Sequence, residues 1–219
     1  MIPDELRQER VGPPRFDPKT PIPIFDETRL EGVRWFRLSK ASYPNQFYAN
    51  PRSRLTPASG KYPCVYLAAT EGTAVAEVWG DKWWYQRHVL KKDLYAIPAK
   101  TAAEFAYLVM ESVLPLTLCD FTDENTRLAI GLDNSALNTA DLRIPQAWAE
   151  AIATHKNGYD GIVYRSRHTD KLCVVLWARA GIRSLDQEIR FSASGDFRNS
   201  SAAFETARKI GIKLSFPFV

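Results

Sequence analysis

Glu77 is the first residue whose type and setting suggest chemistry. It lies in EGTAVAEVWGDKWWYQ (residues 71–86), a segment with helical spacing that follows directly on a strand-like run. On a helical wheel Ala74, Val75, Val78 and Trp79 form an apolar stripe with Glu77 at its margin. A carboxylate there, between a packed face and solvent, is a candidate for chemistry, although helix glutamates are commonly just solvated. Arg54, in the polar stretch PRSRLTPASG, offers a guanidinium fork suited to phosphate oxygens. Arg37 is a cation inside the aromatic and aliphatic run VRWFRL, where leaving it unpaired would be costly; it belongs to a structural ion pair or to a ligand site. Tyr66, within CVYLAA, has a ring able to stack on a flat heterocycle, or simply to pack. Ser166 ends DGIVYRS and can supply one hydrogen bond at a cleft, or shape a turn. His88, His155 and His168 are isolated, no Ser-His-Asp or Cys-His arrangement follows from spacing, and all three are taken as surface or core residues.

The elements that must position these groups are partly legible. Residues 1–30 hold six prolines, which exclude regular helix or central strand and predict an extended arm. Residues 33–38 read as a first strand, with Val33, Trp35 and Arg37 on one face and Arg34, Phe36 and Leu38 on the other. SYPNQFYANPRSRLTPASGKYP is a long loop, a length that in a compact domain suggests function. Residues 64–69 form a second strand, and Thr70 caps the Glu77 helix. KDLYAIPA predicts another strand with Pro98 near its end, whereas residues 101–121 mix helical spacing with Pro115 and stay unassigned. IPQAWAEAIATHKNG predicts a helix with Pro145 in its first turn and Asn157-Gly158 as its stop. YDGIVYRS and KLCVVLWA, separated by RHTD, predict a hairpin, and the last forty residues look less regular.

The bulk properties narrow the class. A chain of 219 residues, 45% hydrophobic and 25% charged, suits one globular domain. Nothing approaches the ~20 consecutive apolar residues of a membrane span, and the N-terminus lacks a secretory apolar run, so the expected location is the cytoplasm. Cys64, Cys119 and Cys173 are far apart with no CxxC pair, so neither disulfides nor a metal is expected. The net charge of +4 suits an anionic ligand, but no groove-reading motif accompanies it and direct nucleic-acid binding is not expected. The absence of GxGxxG, Walker and GxSxG sequences disfavours a Rossmann fold. The elements predict an α+β domain with a mixed or mostly antiparallel sheet and flanking helices.

Three stretches together resemble the RES domain, the toxin half of bacterial RES/Xre toxin-antitoxin pairs. They are the Phe36-Arg37 strand, RLTPASGKYPCVYLAATEGTAVAEVWG and GYDGIVYRSRHTDKLCVVLW, and the likeness spans roughly residues 30 to 180. The family's Arg, Glu and Ser fall on Arg54, Glu77 and Ser166, and its strand arginine and tyrosine on Arg37 and Tyr66. The chain departs from the family in one turn. A Gly-Gly-Arg-aromatic-Asn sequence is usual there, and PRSRLT lacks the glycines, the aromatic and the Asn, which makes Arg52 a rival to Arg54.

The resemblance implies a single ADP-ribosyltransferase-like catalytic domain over residues 31–219 behind the proline-rich arm 1–30. It also implies NAD as substrate and an Xre-type helix-turn-helix antitoxin as partner. Under that reading the chain cleaves NAD at the nicotinamide-ribose bond as a glycohydrolase or phosphorylase. Glu77, ionised, faces the ribose hydroxyls and the developing cation; Arg37 and Arg54 hold the pyrophosphate; Tyr66 stacks on nicotinamide; Ser166 helps fix nicotinamide or the adjacent ribose. Two rivals stay open: a mono-ADP-ribosyltransferase acting on a protein acceptor, and a non-enzymatic basic module using Arg52, Arg54, Arg165 and Arg167. A third, an inert structural domain, gains only from the altered turn.

Overall fold

In the computed structural model the described residues are 34–91, 95–112, 116–178, 189–196, 205 and 212–214. The proline-rich arm expected over 1–30 lies outside them. Alternating apolar residues build a seven-stranded sheet in the order β5-β6-β7-β2-β1-β4-β8, from β1 (Trp35–Lys40), β2 (Cys64–Ala68), β4 (Phe105–Ser112), β5 (Leu118–Asp120), β6 (Gly161–Arg165), β7 (Leu172–Trp177) and β8 (Ile189–Asp196). Every pairing is antiparallel except β5 with β6. β3 (Tyr95–Ile97) and β9 (Ile212–Leu214) make a separate parallel pair. The α+β class and the mixed, mostly antiparallel sheet are as the sequence predicts.

One face of the sheet matters for function. Cys64, Tyr66 and Ala68 of β2 share it with Cys173, Val175 and Trp177 of β7 and with Ile162 and Tyr164 of β6, as period-2 alternation and the register require. At one end it is covered by α1 (Glu71–Trp84), whose Ala74, Val75 and Trp79 are buried, with Trp79 edge-on to Phe105. At the other end it is covered by α3 (Glu124–Ile130), α4 (Asn134–Asn138) and α5 (Arg143–Ala153), through Ile130, Ala136, Trp148 and Ile152. The opposite face buries Trp35, Val65, Leu67, Met110 and Val174.

Local signals place these helices. Thr70 caps α1 by accepting a hydrogen bond from the Thr73 amide at 3.1 Å, and Asp123 caps α3 through the Thr126 amide at 2.7 Å. Gly131 closes α3 with φ 70°, a left-handed position that suits glycine. α1 continues into a π-helical turn, Tyr85–Val89. A short helix, α2 (Ala99–Ala103), precedes β4. No helix among the described residues is long and apolar enough to cross a membrane.

Several sequence expectations need correction. The first strand lies two residues later than 33–38, because its partner β4 pairs with it from Trp35 to Lys40. α5 ends at Ala153 rather than at Asn157-Gly158: Thr154 turns its hydroxyl back onto the Glu150 carbonyl at 2.8 Å and leaves helical geometry. The unassigned 101–121 segment divides into helix and strands. The tail, expected to be less regular, contributes β8, an edge strand pairing with β4 across a bulge. Its sequence, IRFSASGD, alternates apolar Ile189, Phe191 and Ala193 with polar residues, a short strand signal within an otherwise irregular tail.

Gly161 shows how tightly the β6–β7 hairpin is drawn, since a Cβ there would sit 2.0 Å from the Val175 carbonyl oxygen. That oxygen belongs to the paired backbone and cannot swing away. Gly161→Ala is therefore expected to cost about 3 kcal/mol or more of stability in urea unfolding. Near-wild-type stability would show that the strands can separate locally.

Candidate functional site

The register brings the site together. Cys173 pairs with Ala68 of β2 on one side and Tyr164 of β6 on the other, so these two strands end at the same edge of the sheet. Just past those ends, α1 and the β6–β7 turn meet. Ser166, only 2% exposed, donates its hydroxyl proton to Glu77 Oε1 at 2.6 Å and accepts from the His168 amide at 3.2 Å. The serine is thus oriented from both sides, and Glu77 Oε2 has no hydrogen bond among the described residues.

Glu77 is exposed into a cleft of two adjoining cavities, about 840 and 300 Å³, both bordered by Arg54, Glu77, Tyr164 and Arg167. The larger one also meets Arg37, Arg52, Tyr66, Trp84, Tyr85 and His168. The smaller one meets Thr122, Arg127, Asn138, Arg165 and Asp170. Cations therefore outnumber carboxylates along the cleft, an arrangement that attracts anions. Among the described residues no group of three or more His, Cys, Asp or Glu is placed to hold a metal.

Arg54 is half-buried, and its guanidinium donates to the Leu137 carbonyl. Burial lowers its pKa, while Glu77 and Tyr164 act in the opposite sense. Arg52 is exposed and borders only the larger cavity, so of these two arginines it is Arg54 that reaches the Glu77 junction. Arg37 Nη2 donates to Ser39 Oγ at 3.2 Å and to the Gln46 carbonyl at 3.3 Å, while its buried Nη1 has no hydrogen-bond partner among the described residues. Burial lowers its pKa to about 10, which leaves it a cation at neutral pH. Tyr66 borders the larger cavity, and its hydroxyl is tied to the Arg54 loop: it accepts from the Leu55 amide and shares a proton with Thr56 Oγ1, both at 3.1 Å. The five residues singled out by the sequence thus line or brace one cleft.

His168 was missed, and it is neither a plain surface nor a core residue. Its ring lies against Gly80, where a Cβ would come within 2.8 Å of three ring atoms, and its Nε2 is 3.2 Å from Asp81 Oδ1. Arg167 pairs with the same carboxylate. Residues 77, 80 and 81 of α1 are therefore joined to residues 166–168 at successive points. The i, i+3, i+4 spacing of Glu77, Gly80 and Asp81 was readable as a common helix face, but their partners lie some 90 residues away and left no local trace.

Comparisons with known proteins bear on the family and the fold. The family model of the RES domain matches residues 28–197, and the chain belongs to the RES-domain family. The crystal structure of the M. tuberculosis MbcT-MbcA toxin-antitoxin complex contains a chain of similar fold. That likeness has a TM-score of 0.53 and 16% identity, and covers 77% of this chain and 90% of that one. No curated protein sequence matches the chain.

Burial pushes the His168 imidazole below its usual pKa, against the pull of Glu77 and with a further push from Arg54. The unfolded chain takes up this proton near about pH 6.5, whereas the folded protein does so only lower, so stability falls as pH drops through that window. His168→Gln is expected to make urea-unfolding stability less pH-dependent between about pH 7.5 and 5.5 than in the wild type. Equal slopes would mean that the ring titrates as if solvated.

Proposed function

We propose that this protein is the toxin of a toxin-antitoxin pair and cleaves NAD at the nicotinamide-ribose bond. The observation that carries the reading is the Ser166-Glu77 pair at the junction of two cation-lined cavities. Nicotinamide in NAD is cationic and departs as a neutral amide, so the reaction needs little acid assistance. It needs stabilisation of the positive charge that moves onto the ribose. Ser166 holds one oxygen of Glu77 and orients the other oxygen toward that charge. Ser166 is thus a positioning residue, a narrower role than direct contact with nicotinamide or ribose.

The phosphates fit the basic wall. Arg54 stands beside Glu77 and Arg37 also borders the larger cavity, which makes both candidates for the pyrophosphate; each charged hydrogen bond is worth about 1.5 to 3 kcal/mol. Tyr66, bordering the larger cavity, is the surface for the nicotinamide, its hydroxyl being already engaged with the loop. The similar fold within a toxin-antitoxin complex supports an antitoxin as partner, one of the Xre type being the form the family resemblance implies. An antitoxin seated over the cleft would block it.

The test is nicotinamide release from NAD by the purified chain. Glu77→Gln, which keeps size and removes charge, is expected to lower kcat/KM by roughly three orders of magnitude, the scale of losing a preorganised electrostatic contact. Ser166→Ala is expected to lower it about ten- to a hundredfold, the value of one charged hydrogen bond. Release only when a protein acceptor is added would assign the site to ADP-ribosyl transfer instead. Salt-sensitive nucleic-acid binding that survives Glu77→Gln, with no release, would favour the basic module.

A further inference from the structure

Arg54 sits in a long irregular loop without the glycines of the usual family turn, so for its guanidinium to reach the Leu137 carbonyl and the Glu77 junction the loop backbone must be placed by other means. Within the turn, the Asn50 side chain accepts from the Arg52 amide and the Asn50 carbonyl from the Ser53 amide, both at 3.0 Å. These bonds shape the turn without fixing it to the rest of the molecule. Downstream, Leu55 and Thr56 are fastened to Tyr66. Upstream, residues 50–53 meet one side-chain attachment from outside the loop among the described residues. Gln146 Nε2 donates one hydrogen to the Pro51 carbonyl at 2.8 Å and the other to the Ser53 carbonyl at 3.0 Å.

Gln146 lies in the first turns of α5, whose buried Trp148, Ala149 and Ile152 lock it to the sheet. One turn later on the same face, Glu150 Oε2 accepts from the Ser59 amide at 3.0 Å. The helix therefore grips the loop on both sides of Arg54, from two residues spaced i, i+4. We infer that Gln146 is a positioning residue for Arg54, holding the chain before it so that the guanidinium reaches the Glu77 junction. The kinetic consequence rests on the NAD-cleaving reading; the structural one does not.

The experiment uses the full chain carrying Gln146→Met, which keeps length and removes both donors, with two readouts. Limited trypsin digestion followed by mass spectrometry is expected to show cleavage after Arg52 and Arg54 accelerated about tenfold, with far-UV circular dichroism unchanged, because a pinned turn resists local opening. In nicotinamide release, KM for NAD is expected to rise about tenfold with kcat within about twofold, the pattern of lost uniform binding. On an Arg54→Ala background, Gln146→Met is expected to add nothing, since both changes remove the same contact. Unchanged cleavage would overturn the inference whether or not the protein acts on NAD. Faster cleavage from a chain that releases no nicotinamide would leave the positioning role standing and sink the functional reading. Additive kinetic losses with Arg54→Ala would show that Gln146 acts elsewhere and overturn it. Should Gln146→Met misfold, Gln146→Glu, which keeps polarity and replaces the donor by an acceptor, is expected to release the turn in the same digestion, and its failure to do so would likewise overturn the inference.

Discussion

The site depends on a hydrogen bond between two segments that have no local reason to meet. Ser166 follows the last residue of β6, Glu77 lies two turns into α1, and 89 positions separate them in sequence. A charged hydrogen bond of 2.6 Å forms only if both backbones are placed to within tenths of an ångström. That precision comes from the sheet, where one residue, Cys173, pairs with β2 and β6 together and so aligns the two strand ends. α1 departs from the first of those ends under the Thr70 cap, and the Ser166 turn departs from the second. A register slip in either pairing would invert the inward and outward faces and part the serine from the glutamate.

The same constraint explains small features that otherwise look incidental. Gly161 lets β6 and β7 close to a distance no Cβ would permit. Gly80 lets the His168 ring lie on α1, which brings the His168 amide within reach of Ser166 Oγ. Asp81 holds both Arg167 and the imidazole from one turn beyond Glu77. The Asp81 contacts add little energy alone in a partly solvated cleft. Together these features leave Ser166 one orientation, with its proton toward the carboxylate.

How much of this was legible follows from how local each signal is. The Thr70 cap, the apolar stripe of α1 and the 161–177 hairpin are short-range patterns, and they were read correctly. The strand under Arg37 was displaced because its limits are set by β4, some seventy residues away. β8 escaped although Ile189, Phe191 and Ala193 alternate with polar residues, because that short period-2 run sits in a tail otherwise without regular pattern. Arg54, Glu77, Ser166, Arg37 and Tyr66 were singled out because residue type and order matched a family pattern; each alone resembled an ordinary surface or packing residue. His168 and Gln146 were missed for the opposite reason. Their partners are ring faces, a carboxylate and backbone carbonyls contributed by distant segments, and nothing adjacent to either residue marks it.

The charge balance of the cleft gives the carboxylate a second demand. With Arg54 and Arg167 bordering both cavities and Arg37 half-buried along one, a freely rotating glutamate would lower its energy by folding onto the nearest guanidinium. Neutralised in that way it would have little field left for a cation forming on a ligand. The neighbouring cations are instead engaged from behind: Arg54 by the Leu137 carbonyl, Arg167 by Asp81, and Arg37 by Ser39 and the Gln46 carbonyl. Glu77 meanwhile is held by a neutral hydroxyl. A serine can orient a carboxylate without cancelling its charge, whereas a lysine or arginine in its place would do both. The residue type at 166 is thus fixed by electrostatics as much as by space.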